Sequence, residues 1–287
     1  MSSIDLHLHT NASDGSLSPT ELVRQARQAG LLVIAITDHD STKGLAEATR
    51  EGERQGVVVV PGIELSIEMN PGAFHLLGYG VTWTDELCGT LQTIIEGRKK
   101  RNRLILDKLA AKGFPISYEE LLEAAGEATP GRPHIAKLMV EKGYVADYQE
   151  VFDNYLKKGA LAYQQRFRLS AKEGIGLLKR AGAIPVMAHP FSTKLDEKEL
   201  EEYLVQLKAL GLMGLEVYYT KHSEEQTASY LEMAEKLGLL VTGGSDFHGA
   251  SKPRISMGTG YGNLDVPAVL YEKLKSAMAL CMKPEKT

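Results

Sequence analysis

Ile4-Asp5-Leu6-His7-Leu8-His9, then Ser18-Pro19-Thr20-Glu21-Leu22-Val23-Arg24-Gln25-Ala26, then Leu31-Leu32-Val33-Ile34-Ala35-Ile36-Thr37 read in order as a strand, a helix and a second strand. The outer runs are apolar and short, as strands covered by helices require. Between them Ser18 is placed to cap a helix, Pro19 to occupy its first turn, Glu21 to close a capping box and Gly30 to stop it. Five further runs predict strands: Val57 to Ile63, Ala73 to Gly80, Ile184 to Ala188, Gly214 to Tyr218 and Leu239 to Gly243. Helical patterns fall at Lys43 to Gln55, Ala171 to Ala181, Glu197 to Leu210 and Ser223 to Leu237. Strands alternating with helices of this length imply an α/β protein with a mostly parallel sheet, and seven such units suggest a barrel. The Val57 and Ala73 runs stand too close together for a helix between them.

The segment from 98 to 168 breaks this rhythm. It carries helical stretches at Arg101 to Lys112, Tyr118 to Ala125, Arg132 to Lys142 and Ala146 to Tyr155, with no strand, and reads as a small all-helical insertion or lid between two halves of the α/β body, 1–97 and 169–287. Its net charge is +5, whereas the remainder carries −9. A basic segment on an acidic body suits a cation-loaded site that meets a polyanion, although a run such as Arg98-Lys99-Lys100-Arg101 also reads as a solvated helix face. Within it, Gly131-Arg132-Pro133-His134 places Arg132 and His134 at a helix start, where free amides and the dipole favour an anion.

The 287 residues, 43% hydrophobic and 24% charged, are enough to bury a full core. Cys88 and Cys281 stand far apart and suggest neither a disulfide framework nor a thiolate metal site. The first residues lead straight into a strand, with no basic, apolar leader and no span long enough for a membrane; a cytoplasmic location is the expectation, with no membrane association and no obligate protein partner.

His7 and His9 stand two apart on a strand and therefore share a face. Alone, such a pair is more often a hydrogen-bonded structural pair than a ligand pair. It has company here: Asp14, His39, Glu64, His75, His189, Asp246 and His248 each lie in or just after an apolar run, where α/β proteins gather reactive groups. Imidazoles and carboxylates without thiolates suit Zn, Mn or Fe, and argue against Mg or Ca alone. Six histidines and three carboxylates exceed one coordination shell, so two or three divalent ions are expected, with Glu64 as bridge. Clusters of this kind supply hydrolytic chemistry, most often on phosphate esters.

This ordered series, HxH, D, TDH, E, H, H and DxH from His7 to His248, resembles the PHP (polymerase and histidinol phosphatase) family over about three quarters of the chain. The resemblance implies a distorted, TIM-like (β/α)7 barrel with a trinuclear site at the strand C-termini. It implies one ion held by His7, His9, Glu64 and Asp246, a second by Glu64, His75 and His189, and a third by Asp14, His39 and His248. Manganese is the expected ion, with zinc or iron(II) as alternatives. Asp14 stands where some members carry histidine. The helical insertion resembles the subgroup acting on nucleotides, which implies a phosphoesterase that converts 3′,5′-nucleoside bisphosphate to nucleoside 5′-monophosphate and phosphate, or removes nucleotides 5′ to 3′ from short RNA. Arg132, His134, Ser66 and Lys252 are then expected to contact substrate; Arg132 would stabilise phosphoryl charge, and His134 is a candidate for phosphate contact or for protonating the leaving oxygen. Asp38 and Asp40 are expected to support the ligating histidines, and His222 reads as a loop histidine. A small-molecule phosphatase like histidinol phosphatase, and a non-catalytic metal- or nucleotide-binding protein, are the alternatives.

Overall fold

The computed structural model describes residues 3–126 and 129–281. The chain divides into two compact units, one formed by Met1–Cys88 with Arg168–Thr287, the other by Gly89–Phe167.

In the first unit seven strands, β1 (Ile4–Leu8), β2 (Val33–Ile36), β3 (Val58–Ile67), β4 (Phe74–Tyr79), β5 (Ile184–Met187), β6 (Gly214–Tyr219) and β7 (Leu240–Gly244), follow one another in a single sheet. Four neighbouring pairs are parallel, whereas β4 runs antiparallel to both β3 and β5. The two close-set runs at Val57 and Ala73 thus form a hairpin. Pairing of Ile67 with Phe74 extends β3 four residues past the expected end at Ile63 and keeps Ser66 on the strand. The sheet nearly closes: Leu8 bridges Phe247, and Asp246 donates its backbone N–H to His7 O at 2.9 Å. Gly244 permits this approach, because a Cβ there would stand 2.4 Å from the His7 Cβ.

Helices α1 (Pro19–Gln28) and α2 (Leu45–Gln55) lie outside the first strands, with Leu22, Val23, Ala26 and Ala48 packed on Leu8, Ile34 and Ile36. The capping box at Ser18 and Glu21 forms as its sequence requires. A separate cluster joins Val33, Ala35, Val60, Leu77, Tyr79 and Val186. Counted in chain order, the next helix of the first unit is α7 (Ala171–Arg180), followed by α8 (Glu197–Leu210) and α9 (Glu224–Leu237). A last helix, α10 (Val269–Cys281), had no counterpart in the sequence reading and adds Leu270 and Leu274 to the second cluster.

The second unit holds most of α3 (Asp85–Ala110), then α4 (Tyr118–Ala125), α5 (Arg132–Glu141) and α6 (Tyr148–Val151), around Ile105, Leu109, Leu121, Ile135 and Met139. Helix α3 begins sixteen residues before the expected Arg101, where Thr84 Oγ1 accepts the Leu87 N–H and Asp85 and Glu86 face the positive helix end. Part of the basic run is structural: Arg103 lies 4.0 Å from the Tyr118 ring centre and Lys99 pairs with Glu96 at 2.7 Å. Among the described residues no helix is long and apolar enough to cross a membrane.

Candidate metal centre

The strand ends bring all nine expected ligands together. His7 lies on β1 and His9 just after it, Asp14 lies in the turn beyond, His39 follows β2, Glu64 on β3 and His75 on β4 lie two residues apart in the hairpin register, His189 follows β5, and Asp246 and His248 follow β7. Glu64 is the hub. Its Oε2 lies 3.1 Å from His39 Nδ1, 3.2 Å from His9 Nε2 and 3.4 Å from His7 Nε2; its Oε1 lies 2.9 Å from His75 Nδ1 and 3.1 Å from His189 Nε2. Asp246 Oδ1 stands 3.3 Å from His9 Nε2 and 3.4 Å from His248 Nδ1, and Asp14 Oδ1 3.3 Å from His248 Nε2.

Four overlapping sets have ligand atoms within 4.8 Å of one another: His9, Asp14, His39 and His248; His7, His9 and Asp246; His7, Glu64 and His189; His39, Glu64 and His75. Ligands at about 2.1 Å from one ion lie roughly 3 to 3.5 Å apart; the contacts to Glu64 are near that spacing, whereas His7 Nε2 to Asp246 Oδ1 is 3.8 Å and His39 Nε2 to Asp14 Oδ2 is 3.9 Å. His7 Nε2, both ring nitrogens of His9, His39 Nδ1, Glu64 Oε2 and His248 Nε2 are closed to solvent without a hydrogen-bond partner. Buried nitrogens and oxygens in that condition are costly unless a cation or proton satisfies them. The donor set therefore fits divalent ions.

Protonation differs from one group of the cluster to the next. Burial pushes Glu64 up, but the surrounding imidazoles of His39, His75 and His7 outweigh it and hold the carboxyl well below its usual range. Burial would lower His9; Asp246 and Glu64 reverse this and raise it to about 9. His39 is pushed down to about 3, chiefly by burial.

The ligands are held from behind by groups that the sequence reading partly missed. Glu216, fully buried on β6, accepts a hydrogen bond from His7 Nδ1 at 2.8 Å and the backbone N–H of His189 at 2.7 Å. A carboxylate inside the apolar run Gly214-Leu215-Glu216-Val217 was the signal available. His189 Nδ1 meets Ser192 Oγ at 2.9 Å. Tyr219 Oη and Lys252 Nζ donate to Asp246 Oδ2 at 2.9 and 2.8 Å, so Lys252, expected at the substrate, supports a ligand carboxylate. The expectation for Asp38 needs correcting: it accepts from Thr10 N–H and Oγ1 and from Ser13 Oγ, fixing the loop after β1 rather than a histidine. Asp40 accepts the Ser66 N–H at 3.2 Å. His189 and Asp246 have φ values of 26° and 57°, left-handed conformations that cost roughly 1–3 kcal/mol each and cluster at functional sites.

Arg132 and His134 belong to the second unit. His134 Nδ1 accepts the Gly131 N–H at 3.1 Å, closing the start of α5, and Arg132 Nη1 donates to Leu156 O at 3.1 Å. His222 lies in the loop after β6, as expected, and is buried there: its Nδ1 donates to Val217 O at 2.8 Å and its ring packs on Phe191, Tyr219 and Tyr230.

An α/β barrel with overlapping His and carboxylate ligand sets at its strand ends defines a class of metal-binding barrel proteins. The chain belongs to the PHP domain family, whose model matches residues 5–169. It is 32% identical over 250 residues to a 3′,5′-nucleoside bisphosphate phosphatase of Chromobacterium violaceum, covering 86% of this chain and 88% of that one. It is 33% identical over 246 residues to a 5′-3′ exoribonuclease of Haemophilus influenzae (85% and 89% covered). Over 250 residues it is 32% identical to a phosphoribosyl 1,2-cyclic phosphate 1,2-diphosphodiesterase of Eggerthella lenta (85% and 94% covered). A crystal structure from Bifidobacterium adolescentis, assigned as a metal-dependent phosphoesterase, superimposes with a TM-score of 0.83 at 30% identity, covering 96% of both chains.

Proposed function

We propose that the protein is a metal-dependent hydrolase of nucleotide phosphate esters, with 3′,5′-nucleoside bisphosphate as substrate and nucleoside 5′-monophosphate and phosphate as products. The observation that carries this reading is the convergence of five imidazoles on the single buried carboxylate of Glu64. His7, His9, Glu64 and Asp246, then Glu64, His75 and His189, then Asp14, His39 and His248 would hold three ions, manganese being the ion proposed. Such ions, when bound, acidify water and neutralise charge on phosphoryl oxygens.

The chain's own groups prepare that chemistry. Glu216 fixes the ring of His7 and the backbone of His189, so both imidazoles keep their direction without reorganising as charge develops. Tyr219 and Lys252 anchor Asp246 through one oxygen and leave the other for the centre. Water adds to phosphorus, the ester P–O bond breaks, and the departing 3′ oxygen takes a proton, a role proposed for His134. Arg132 is proposed to contact the phosphate.

The name of the exoribonuclease relative favours a second reading, the 5′-to-3′ removal of mononucleotides from short RNA, which uses the same hydrolytic step. The test is phosphate release from 3′,5′-bisphosphoadenosine, mononucleotide release from a 5′-phosphorylated oligoribonucleotide, and opening of a phosphoribosyl 1,2-cyclic phosphate, each with added manganese. Turnover of the first fastest supports the proposal. Turnover of the cyclic ester alone replaces the substrate, and turnover of none by metal-replete protein removes the nucleotide reading.

A further inference from the structure

Arg168 was not among the residues that the sequence singled out, and its surroundings call for a ligand. Leu169 bridges Ile67, near the end of β3, in parallel register, and the Glu68 N–H donates to Leu169 O at 2.8 Å. Both bridged residues are buried, and Ile67 is directed at α7, where a Cβ on Gly174 would meet its Cδ1 at 2.5 Å. Successive residues of extended chain face opposite sides. Arg168 therefore stands on the other face, beside Ser66 and on the side of the sheet that carries Glu64. The register of β3 against β4 is unbroken from Gly62 to Ile67, so this alternation holds, with Ser66 directly opposite His75.

Arg168 is half-buried, and its Nε is closed to solvent without a hydrogen-bond partner. Among the described residues no carboxylate or carbonyl receives its guanidinium, in contrast to Arg24 on Glu51 and Arg180 on Glu86. Ser66 is 5% exposed, and its hydroxyl likewise has no hydrogen bond among the described residues. A partly buried guanidinium without a counter-charge is unfavourable by itself. A guanidinium and a hydroxyl on one face of the sheet, at the rim of a centre proposed to handle phosphate, are donors of the kind that phosphate oxygens accept. At the strand rise of about 3.3 Å per residue, Ser66 lies about 7 Å along β3 from Glu64, a nucleotide's reach from one phosphate to the next.

We infer that Arg168, with Ser66, binds the phosphate of the substrate that is not hydrolysed, and so selects doubly phosphorylated nucleotides. This rests on the phosphoesterase reading given above. Arg168→Ala and Arg168→Lys, both checked for folding by circular dichroism and for metal content, are compared with wild type on 3′,5′-bisphosphoadenosine and 3′-adenosine monophosphate. The expected result is a fall of about 10- to 1,000-fold in the ratio of kcat/KM for the bisphosphate to that for the monophosphate, through KM, in the alanine variant. The lysine variant recovers part of the loss, and millimolar guanidine restores part of it to Arg168→Ala. Equal losses on both substrates, or a ratio within threefold of wild type, overturn the inference. If wild type turns over neither nucleotide, the phosphoesterase reading fails separately, and titration calorimetry of 3′,5′-bisphosphoadenosine into metal-loaded wild type and Arg168→Ala decides the point: a Kd ratio below threefold refutes Arg168 as the contact.

Discussion

Glu216 Oε1 lies 2.8 Å from His7 Nδ1, and the same carboxylate receives the His189 backbone N–H through its other oxygen. One buried side chain on β6 thus sets the tautomer of a candidate ligand on β1 and the position of another after β5. Glu216→Gln keeps the shape and removes the charge. Supporting contacts of this kind are worth about 10- to 100-fold in metal affinity. We expect that loss in a manganese titration, with the circular dichroism spectrum unchanged; wild-type affinity in the variant would show that Glu216 only fills space.

Glu64→Ala removes the one carboxylate in contact with five histidines. Bound metal per chain should fall and turnover should disappear. Elemental analysis alongside phosphate release checks this, and full activity in the variant would refute a shared cluster.

For Arg132→Ala, two effects separate cleanly. Loss of its hydrogen bond to Leu156 O should cost about 0.5–1.5 kcal/mol of stability. Loss of a charge-assisted phosphate contact should lower kcat/KM by about 10- to 1,000-fold with metal content unchanged. A variant that melts earlier but turns over normally assigns Arg132 to the structure of the second unit.

Protons and metal compete for His9. Burial lowers its pKa, yet Asp246 and Glu64 raise it to about 9 from an ordinary 6.5, so in metal-free protein its protonation stabilises the fold fully below pH 6.5, and this contribution fades as pH rises through 9. Metal binding must displace that proton. Affinity for manganese should therefore increase with pH between 6.5 and 9, with protons released on binding. Calorimetry in buffers of different ionisation enthalpy measures the release, and a pH-independent affinity with no proton release would contradict the picture.

Chelation offers the complementary test. Dialysis against a chelator should abolish phosphate release, and manganese should restore it more fully than magnesium, because the ligand set is rich in imidazole rather than all oxygen. Equal recovery with magnesium would argue against the proposed ion.

The barrel and the residues that gather at its strand ends were legible because each rests on local pattern. Alternating runs place the strands, the Ser18 to Glu21 box starts its helix, and His7 with His9 share a face by the period of a strand alone. Helix α10 and the early start of α3 were not, since neither carries a strong amphipathic period or an obvious break from its surroundings. Asp38 was placed in the right region with the wrong partner, and the bond of Lys252 to Asp246 was not foreseen, because which group a side chain meets depends on strands distant in sequence.

The sequence by itself determined the architecture and the residue types of the candidate centre: seven apolar runs, six histidines and three carboxylates in order, with no thiolate among them. Only the tertiary structure decided what holds and surrounds that centre. Glu216 meets His7 across 209 residues of chain, and Arg168 reaches the side of Ser66 through a bridge between Ile67 and Leu169. Those placements follow from the register in which distant strands pair, and register is fixed by packing over the whole barrel rather than by any local run of residues.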